Sequence, residues 1–341
     1  MSSATLDVVR AGPLVTIQDG GRPGLMRFGV PASGPMDSFA HAAANIALER
    51  LQTSTAIEVS LGGLTVRCAT GRVTVAVCGG EFHVQHNRKQ FPPWSVISLE
   101  PGDELSLNAG RSGSWCYLAM LGDLRSRRWL GSASTHVRSG LGGGAVNVGD
   151  DLVLDDAMVD FALDGPIEIP VGVAGPHQLR VVLGPQLDRF APGAVDTFLD
   201  GSYRLTSDYD RMGVRLDGPT LKLFDALAIP SSPIVRGSLQ VSGDGVPTLL
   251  FADHQTTGGY PKIATVITDD AIRATQLRAG DAVGFTAIDP ATAVALTRTI
   301  ANERARQLTV IAKRRGPWAR QLLATNLISG IYHPHADGAI S

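Results

Sequence analysis

The sequence predicts a mainly β protein with few helices. Short runs of β-branched and aromatic residues, bounded by glycine or proline, recur along most of the chain, which is the pattern of strands joined by tight turns. A Gly-Asp turn precedes an apolar run at three places, residues 102–103, 149–150 and 280–281. Only two segments carry apolar residues at helical spacing. Many short strands are typical of a barrel or a sandwich.

Eight apolar runs show the strand pattern most clearly. They are residues 66–68, 73–77, 96–99, 115–118, 181–183, 203–205, 248–251 and 264–267. The two helices are predicted at residues 37–49, where Asp37 or Ser38 can cap the amide end, and at residues 291–307, which follow Pro290.

Length and composition limit the organisation of the protein. A chain of 341 residues exceeds the usual single hydrophobic core, so we expect two domains. The formal net charge of -2 argues against nucleic acid as a partner. The N-terminus lacks a basic flank followed by an apolar core, and no apolar run approaches the ~18 residues of a membrane span. We therefore expect a cytoplasmic protein without a membrane partner.

Two further features bear on chemistry and partners. Cys68, Cys78 and Cys116 are odd in number and lie in strand-like runs, which predicts buried free thiols. From residue 291 onwards the chain carries seven basic and two acidic residues. This basic segment suits either a solvated helix face with a tail or docking to an acidic partner.

Several chemistries are excluded or disfavoured by spacing. The sequence contains no P-loop and no Gly-x-Ser-x-Gly elbow. The glycine run at residues 140–145 imitates a dinucleotide fingerprint but lies among hairpins, so we predict a loop. His83 and His86 point to opposite faces of a predicted strand, and His333 and His335 lie in a tail, so no metal site is predicted. No Met-Lys pair for biotin attachment is present, so another chain would have to carry biotin.

The most informative segment is the polar decapeptide from Asp253 to Lys262, which follows an apolar run predicted to be a buried strand. It combines an acid, amides, hydroxyls, a phenol and an ammonium around two glycines, and loops mounted on a rigid scaffold commonly carry function. The segment is either a binding loop or a tight turn. The candidate site residues in it are Asp253, Gln255, Thr256, Thr257, Gly258, Gly259, Tyr260 and Lys262.

A second polar group lies near the N-terminus, in residues 18–24 and 29–37, directly before the first predicted helix. Glycine, serine and aspartate ahead of a helix amide end offer donors for an anion. The alternative is structural: the side chains near the helix satisfy turn and cap amides, while Asp19 pairs with Arg22. The candidate site residues here are Gln18, Asp19, Arg22, Ser33, Gly34 and Asp37.

Several long motifs follow one another in a recognisable order. They are residues 16–24, 29–37, 207–216, 237–241, 253–262 and 276–281, together with Glu58. This set resembles the carboxyltransferase-domain family, also called allophanate hydrolase subunit 2, over residues 8–287. The chain departs from the family pattern around Ala133 and Ala145 and at His254, where family members commonly carry arginine.

The resemblance implies two cyclophilin-like β-barrel subdomains, an N-terminal one over residues 1–170 and a C-terminal one over residues 171–289. A helical basic extension follows over residues 290–341. The implied partner is a companion subunit-1 protein of the same kind. In 5-oxoprolinase members, ATP drives the opening of a lactam with a third, lactam-utilisation subunit. In the carboxyltransferase members, carboxylated biotin on a separate carrier protein meets an amide substrate.

The resemblance also suggests roles for the candidate residues. Asp253, Tyr260 and Lys262 would form the reactive face, and Asp210 with Arg211 would be catalytic residues that connect the two polar groups. Carboxylates can position an N–H proton, and cationic side chains can hold a carboxylate or a phosphate. Three functions follow: a subunit of an ATP-dependent 5-oxoprolinase-type amidohydrolase, a biotin-dependent carboxyltransferase component acting on urea or a related amide, or a non-catalytic regulator of the companion protein.

Overall fold

The computed structural model describes residues 2–224 and 229–313. Within those ranges it contains 22 strands and four α-helices, so the prediction of a mainly β fold with few helices is confirmed. The strands of the N-terminal half are β1 (Ser3–Ala11), β2 (Thr16–Gln18), β3 (Ala56–Ser60), β4 (Leu64–Thr70), β5 (Val73–Gly79), β6 (His83–His86), β7 (Lys89–Phe91), β8 (Ser95–Leu99), β9 (Glu104–Asn108), β10 (Trp115–Met120), β11 (Asp123–Leu124), β12 (Asp151–Asp155) and β13 (Gly165–Pro166). Those of the C-terminal half are β14 (Gln178–Leu183), β15 (Tyr203–Tyr209), β16 (Gly213–Asp217), β17 (Ser232–Pro233), β18 (Ser238–Val241), β19 (Pro247–Leu250), β20 (Thr257–Gly258), β21 (Lys262–Val266) and β22 (Ala282–Ala287). The helices are α1 (Ser38–Ile46), α2 (Ala194–Asp200), α3 (Thr268–Ala274) and α4 (Pro290–Lys313).

The N-terminal half is built from two antiparallel sheets that enclose one core. The first has seven strands in the order β11-β12-β1-β4-β9-β6-β7, and the second has six in the order β13-β8-β5-β10-β3-β2. Alternate residues of β9 and β12 are buried, as expected for strands with one face on the core and one towards solvent. By contrast, β10 is buried along its whole length, because α1 covers the second face of its sheet.

The C-terminal half contains a closed seven-stranded barrel in the order β14-β21-β18-β19-β16-β15-β22. The parallel pair of β14 and β22 closes it. Met36 and Trp115 of the N-terminal half pack into the core of this barrel, so the two halves share buried apolar surface. The chain passes from the six-stranded sheet to the barrel between residues 167 and 177, and we propose the boundary between the halves there.

The sequence located eight of the 22 strands and two of the four α-helices in the described ranges. Each of the eight predicted runs falls on a strand, the helix predicted at residues 37–49 contains α1, and the one at residues 291–307 lies within α4. The glycine run at residues 140–145 is a loop, as predicted. All three cysteines are buried free thiols. No helix in the described ranges is long and apolar enough to cross a bilayer. The rest of the predicted basic extension, including His333 and His335, lies outside the described residues.

Candidate functional site

Arg211 lies at the centre of the contact between the two halves. It occupies the turn between β15 and β16, and only 1% of it is exposed. Its Nε and Nη2 donate to Asp253 at 2.9 and 3.0 Å, and its Nη1 donates to Glu58. Nη2 also donates to the carbonyl of Gly34 at 2.7 Å. One guanidinium therefore joins the decapeptide to β3 and to the loop before α1.

Glu58 is completely buried in β3 and was not among the predicted site residues. Its second carboxylate oxygen accepts from the Met36 amide at 2.7 Å and from the Tyr117 hydroxyl at 2.8 Å. The same hydroxyl accepts from the Asp37 amide at 2.7 Å. Burial, and then the negative charges of Glu58 and Asp37, raise the pKa of Tyr117 well above its ordinary value. Tyr117 therefore stays protonated and keeps donating to Glu58.

Asp37 caps α1, as predicted, and also joins the halves. Its Oδ1 accepts from the Ala40 amide at 3.0 Å, and its Oδ2 accepts from Gln276 Nε2 at 2.8 Å. Gln276 Oε1 in turn accepts from the backbone amides of Ser114 and Trp115 at 2.9 and 3.1 Å. Burial raises the pKa of Asp37, although these hydrogen bonds oppose the shift. The Asp37 carboxylate thus accepts one hydrogen bond from α1 and one from Gln276, and so joins the helix to the segment that follows α3.

Asp19 is the centre of the N-terminal polar group. Its Oδ1 accepts from the hydroxyls of Ser132 and Ser134 at 2.5 and 2.7 Å, and its Oδ2 accepts from the Ala133 amide at 2.7 Å. Burial alone would raise the pKa of Asp19, but the hydrogen bonds outweigh it and hold the pKa below its ordinary value of 3.8. Asp19 therefore remains charged. Because residue 133 is alanine and not arginine, it adds no positive charge to the cluster around Asp19.

Arg22 is also buried, and its expected ion pair with Asp19 is wrong. Its Nε donates to the Trp129 carbonyl at 2.9 Å, and its Nη2 donates to the carbonyls of Ser132 and Ser134. The ion-pair partner of Asp19 is Arg128, at 3.7 Å. Burial lowers the pKa of Arg22, and the nearby charges of Asp19 and Asp253 oppose that shift. Arg22 Nη1 has no hydrogen-bond partner among the described residues, which leaves one buried donor available for an anionic group.

The loop before α1 is packed closely against Gly21. A Cβ on Gly21, whose φ is +80°, would lie 2.8 Å from the Ala32 carbonyl, so only glycine fits there without displacement. Ser33 has a φ of +52°, a rare conformation for a residue with a side chain, and its buried hydroxyl has no partner in the described ranges. Strained residues of this kind cluster at functional sites. Segments 18–24 and 29–37 are therefore adjacent, and Gly34 connects them to Arg211.

The decapeptide runs from this buried junction to the surface of the barrel. Asp253 is 2% exposed, and its amide also donates to the Arg211 carbonyl at 2.8 Å. Next to it, burial lowers the pKa of His254, whose Nδ1 lies 2.7 Å from the Gln255 carbonyl. Residues 257–258 then form β20, which pairs with β17. The Thr256 carbonyl accepts from the Ile234 amide at 3.1 Å. Thr256 and Thr257 thus contribute through the backbone of a short ribbon.

Three predicted residues line one cavity of about 640 Å³ on the barrel surface: Asp210, Gln255 and Tyr260. Asp210 is exposed, and its Oδ1 accepts from the backbone amides of Met212 and Gly213, so it fixes the turn before β16. Tyr260 is 48% exposed. Of the two residues predicted to connect the polar groups, Arg211 contacts both Asp253 and Gly34, whereas Asp210 bonds only within its own turn among the described residues.

Lys262 does not line this cavity. Its Nζ donates to Ser232 Oγ and to the Pro233 carbonyl, both at 2.8 Å, and its amide donates to Gln186 at 3.0 Å. Burial lowers the pKa of Lys262. Since Asp253 is held in the junction and Tyr260 lies in the cavity, the proposed reactive face of Asp253, Tyr260 and Lys262 is not a single surface. Within the described ranges, no group of three or more His, Cys, Asp or Glu residues could hold a metal.

Comparison with known proteins shows the family to which the chain belongs. Residues 28–287 match the family described as carboxyltransferase domain, subdomain A and B. The chain belongs to this family. It is 33% identical to the C subunit of 5-oxoprolinase from Haemophilus influenzae, covering 86% of this chain and 94% of that protein. It is 31% identical to the corresponding C subunit from Escherichia coli, covering 82% and 90%.

Larger proteins also match this chain over part of their length. The chain is 29% identical to the urea amidolyase of Lachancea kluyveri, covering 83% of this chain but 17% of that protein. The crystal structure of Kluyveromyces lactis urea carboxylase superposes with a TM-score of 0.78 at 24% identity, covering 91% of this chain and 29% of that one. The second comparison shows a shared fold. This carboxyltransferase-domain chain thus spans less than a third of either of these larger proteins.

Three residues of the site were missed or left without a role in the sequence analysis: Glu58, Gln240 and Gln276. Glu58 lies between Ile57 and Val59, and a carboxylate inside an apolar strand signals a buried charge with a partner. Gln240, which lines the cavity, lies between Leu239 and Val241 in β18. Gln276 follows a short helix and gives no comparable signal, since only its tertiary position reveals its contacts.

Proposed function

We propose that this protein is a subunit of an ATP-dependent 5-oxoprolinase-type amidohydrolase that opens a lactam or related amide together with a companion protein. The observation that carries this proposal is the identity of 33% and 31% with the C subunits of two 5-oxoprolinases over nearly their whole length. The urea amidolyase relative is less similar and much larger.

The described residues fit one anionic group better than a whole nucleotide. Arg22 Nη1 is a buried cationic donor that lacks a partner in the described ranges, whereas Arg211 is saturated by two carboxylates and a carbonyl. No P-loop is present in the sequence. When ATP is bound to the complex, its hydrolysis would supply the free energy for lactam opening. This chain would contribute binding and orientation of the amide, and the companion proteins would contribute the rest of the nucleotide site.

The roles we assign follow from the contacts. Arg211, Asp253 and Glu58 form the rigid junction that holds the decapeptide against the N-terminal half. Gln255, Tyr260 and Asp210 line the cavity and would contact the substrate. Lys262 fixes β17, which is paired with β20, and so positions the glycine pair through the backbone. Asp19 and Arg22 form a second buried group, in which the charge of Arg22 interacts with that of Asp19 and also with that of Asp253.

The test is reconstitution with the companion subunit-1 protein and the lactam-utilisation protein. We expect phosphate release that depends on 5-oxoproline, with glutamate formed in equal amounts. Tyr260→Phe and Gln255→Leu should lower the turnover of the assembled complex. A folded and assembled complex that hydrolyses no ATP in response to 5-oxoproline would overturn the proposal.

A second candidate function is biotin-dependent carboxyl transfer to urea or a related amide. It is favoured by the match to the carboxyltransferase family and by the urea amidolyase relative. Biotin would be carried by another chain. This alternative predicts that urea stimulates the decarboxylation of carboxybiotin by the complex. It gains support only if that activity appears and 5-oxoproline-dependent phosphate release does not.

A non-catalytic regulator of the companion protein is the third candidate, because the charged residues of the junction are buried and paired with one another. In that case the complex with the companion protein would form equally well with Tyr260→Phe and Gln255→Leu, and neither turnover assay would give a signal.

A further inference from the structure

The segment that follows β11 folds into two successive short hairpins. In the first, Trp129 and Ser132 exchange two backbone hydrogen bonds, 2.9 and 3.2 Å long, around a two-residue turn. In the second, His136 pairs with Leu141 around one turn of 3-10 helix, Val137–Ser139. Residues 129–132 and 136–141 are referred to below as the paired hairpins.

Buried polar groups hold the base of the paired hairpins. Asp19 Oδ1 accepts from the Ser132 hydroxyl at 2.5 Å, and Arg22 Nε donates to the Trp129 carbonyl at 2.9 Å. Between the two hairpins, Thr135 Oγ1 donates to a carbonyl of β2 at 2.8 Å. Asp19, Arg22, Ser132 and Thr135 are all buried. The hairpin tips therefore stand on a fixed base beside the N-terminal polar group.

The tip of the first hairpin is an exposed leucine in a strained conformation. Leu130 is 56% exposed and has a φ of +49°, which a bulky side chain rarely adopts. Gly131, the second residue of the turn, has a φ of +79°. Stability alone would favour asparagine before this glycine, since Asn-Gly suits a turn with two positive φ angles. A strained, exposed leucine instead indicates a role in function. The second tip also exposes an apolar side chain, that of Val137.

Positive charge surrounds both tips. Residues 124–149 contain four arginines and no aspartate or glutamate, in a chain whose formal net charge is -2. Two of these arginines are paired with carboxylates elsewhere in the N-terminal half. The other two, Arg127 and Arg138, are exposed and have no ion-pair partner among the described residues. The paired hairpins therefore present apolar side chains beside two guanidinium groups that remain available to carboxylates.

We propose that the paired hairpins are the docking surface for the companion protein, whose contacting face is acidic around an apolar pocket. Leu130 fills the pocket, and carboxylates of the companion protein pair with Arg127 and Arg138. The apolar tips fit a protein better than a nucleic acid, which is held mainly through its phosphates. The inference rests on the proposed function for the existence of a companion protein, and it assigns the surface that meets it. Docking here places the partner beside the polar group of Asp19 and Arg22.

The first experiment measures the affinity of the full chain for the purified companion protein by isothermal titration calorimetry. Leu130→Asn should weaken binding by about tenfold or more, because the apolar side chain that enters the pocket is lost. Since asparagine tolerates the positive φ, the melting temperature of the variant should equal or exceed that of the wild type. Weaker binding together with unchanged or higher stability separates docking from a structural role. Leu61→Asn, in the exposed turn after β3, is the matched control and should bind as the wild type does.

The second experiment tests the charges. Arg127→Glu and Arg138→Glu should each weaken binding by about tenfold or more, because repulsion replaces an ion pair. Binding of the wild type should weaken as sodium chloride is raised from about 50 to about 500 mM, and this dependence should be smaller in both variants. Arg88→Glu is the control, since Arg88 is also exposed at a hairpin tip with positive φ, between β6 and β7. Its affinity should match that of the wild type.

The outcomes distinguish this inference from the proposed function. If Leu130→Asn and Arg138→Glu lose binding but no complex shows 5-oxoproline-dependent phosphate release, the docking surface stands and the proposed function fails. If turnover occurs and all three variants bind the companion protein as the wild type does, the inference is overturned and the proposed function stands. Vesicles of phosphatidylcholine and phosphatidylserine test a membrane as the partner. If the three variants lose vesicle binding and keep full affinity for the companion protein, the inference is likewise overturned.

Discussion

Arg211 and Asp253 are joined by two parallel hydrogen bonds, 2.9 and 3.0 Å long, and by a third between their backbones at 2.8 Å. Both residues are at least 98% buried. Burial would lower the pKa of Arg211, but the charges of Asp253 and Glu58 outweigh it and raise that pKa far above its ordinary value. The guanidinium is therefore permanently charged, and both buried carboxylates, Glu58 and Asp253, depend on it as their cation.

Arg211→Met should destabilise the protein strongly, because it leaves Glu58 and Asp253 buried without their cation. We expect a loss of about 3–5 kcal/mol in the free energy of unfolding, measured by urea denaturation. Arg125→Met is the control, since Arg125 forms a bidentate but exposed pair with Asp155 and its loss should have a much smaller effect. If both variants lost the same free energy of unfolding, the buried junction would contribute no more to stability than an exposed ion pair does.

Asp19→Asn should lower the free energy of unfolding at neutral pH, and this loss should become smaller as the solution is made more acidic. The pKa of Asp19 is lowered in the folded protein, so its contribution is present above the ordinary value of 3.8 and is lost as pH falls through the lowered value. The difference from the wild type should therefore shrink as pH falls below 3.8 and through the lowered pKa. Asp151→Asn, at an exposed position of β12, should remain within about 0.5 kcal/mol of the wild type throughout. A pH-independent cost for Asp19→Asn would contradict the assignment.

Lys262→Met should change the dependence of stability on pH in the alkaline range instead. Burial lowers the pKa of Lys262 below 10.5, so the folded state binds fewer protons than the unfolded state between the lowered pKa and 10.5. The wild type should therefore gain stability relative to Lys262→Met as pH rises through that window, measured by urea denaturation at each pH.

Because Lys262 fixes β17, the same variant should also lose turnover in the reconstituted complex. Lys89→Met, at an exposed position of β7, is the matched control and should retain turnover. If Lys262→Met kept full turnover, the positioning role of Lys262 would be wrong.

Arg304→Ala should loosen α4 without unfolding the barrel. Arg304 lies over the Phe39 ring at 4.7 Å, and donates to Asp269 at 3.0 Å and to the Gly172 carbonyl at 2.8 Å. It therefore connects α4 to both halves. Hydrogen exchange should accelerate in residues 290–313 and stay unchanged in β18 and β21. Arg306→Ala, which removes a side chain that is 78% exposed, should leave exchange in α4 as in the wild type. Unchanged exchange in Arg304→Ala would show that other contacts dock the helix.

The sequence predicted the elements well because their signals are local. Glycine and proline bound the strands, β-branched residues fill them, and Asp37 caps α1 in the position its residue type suggests. The sequence also indicated which loops carry polar groups. It paired Asp19 with Arg22, however, because they are near in sequence, whereas Arg22 Nε and Nη2 donate to backbone carbonyls of residues 129–134 instead.

The sequence by itself determined the mainly β class, the positions of eight strands and two helices, the buried thiols and the loops that carry the polar groups. The tertiary structure decided which of those groups meet. Neighbouring residues in one loop can face different surroundings. Asp253 therefore lies in the junction, Tyr260 lines the cavity, and Lys262 donates to β17.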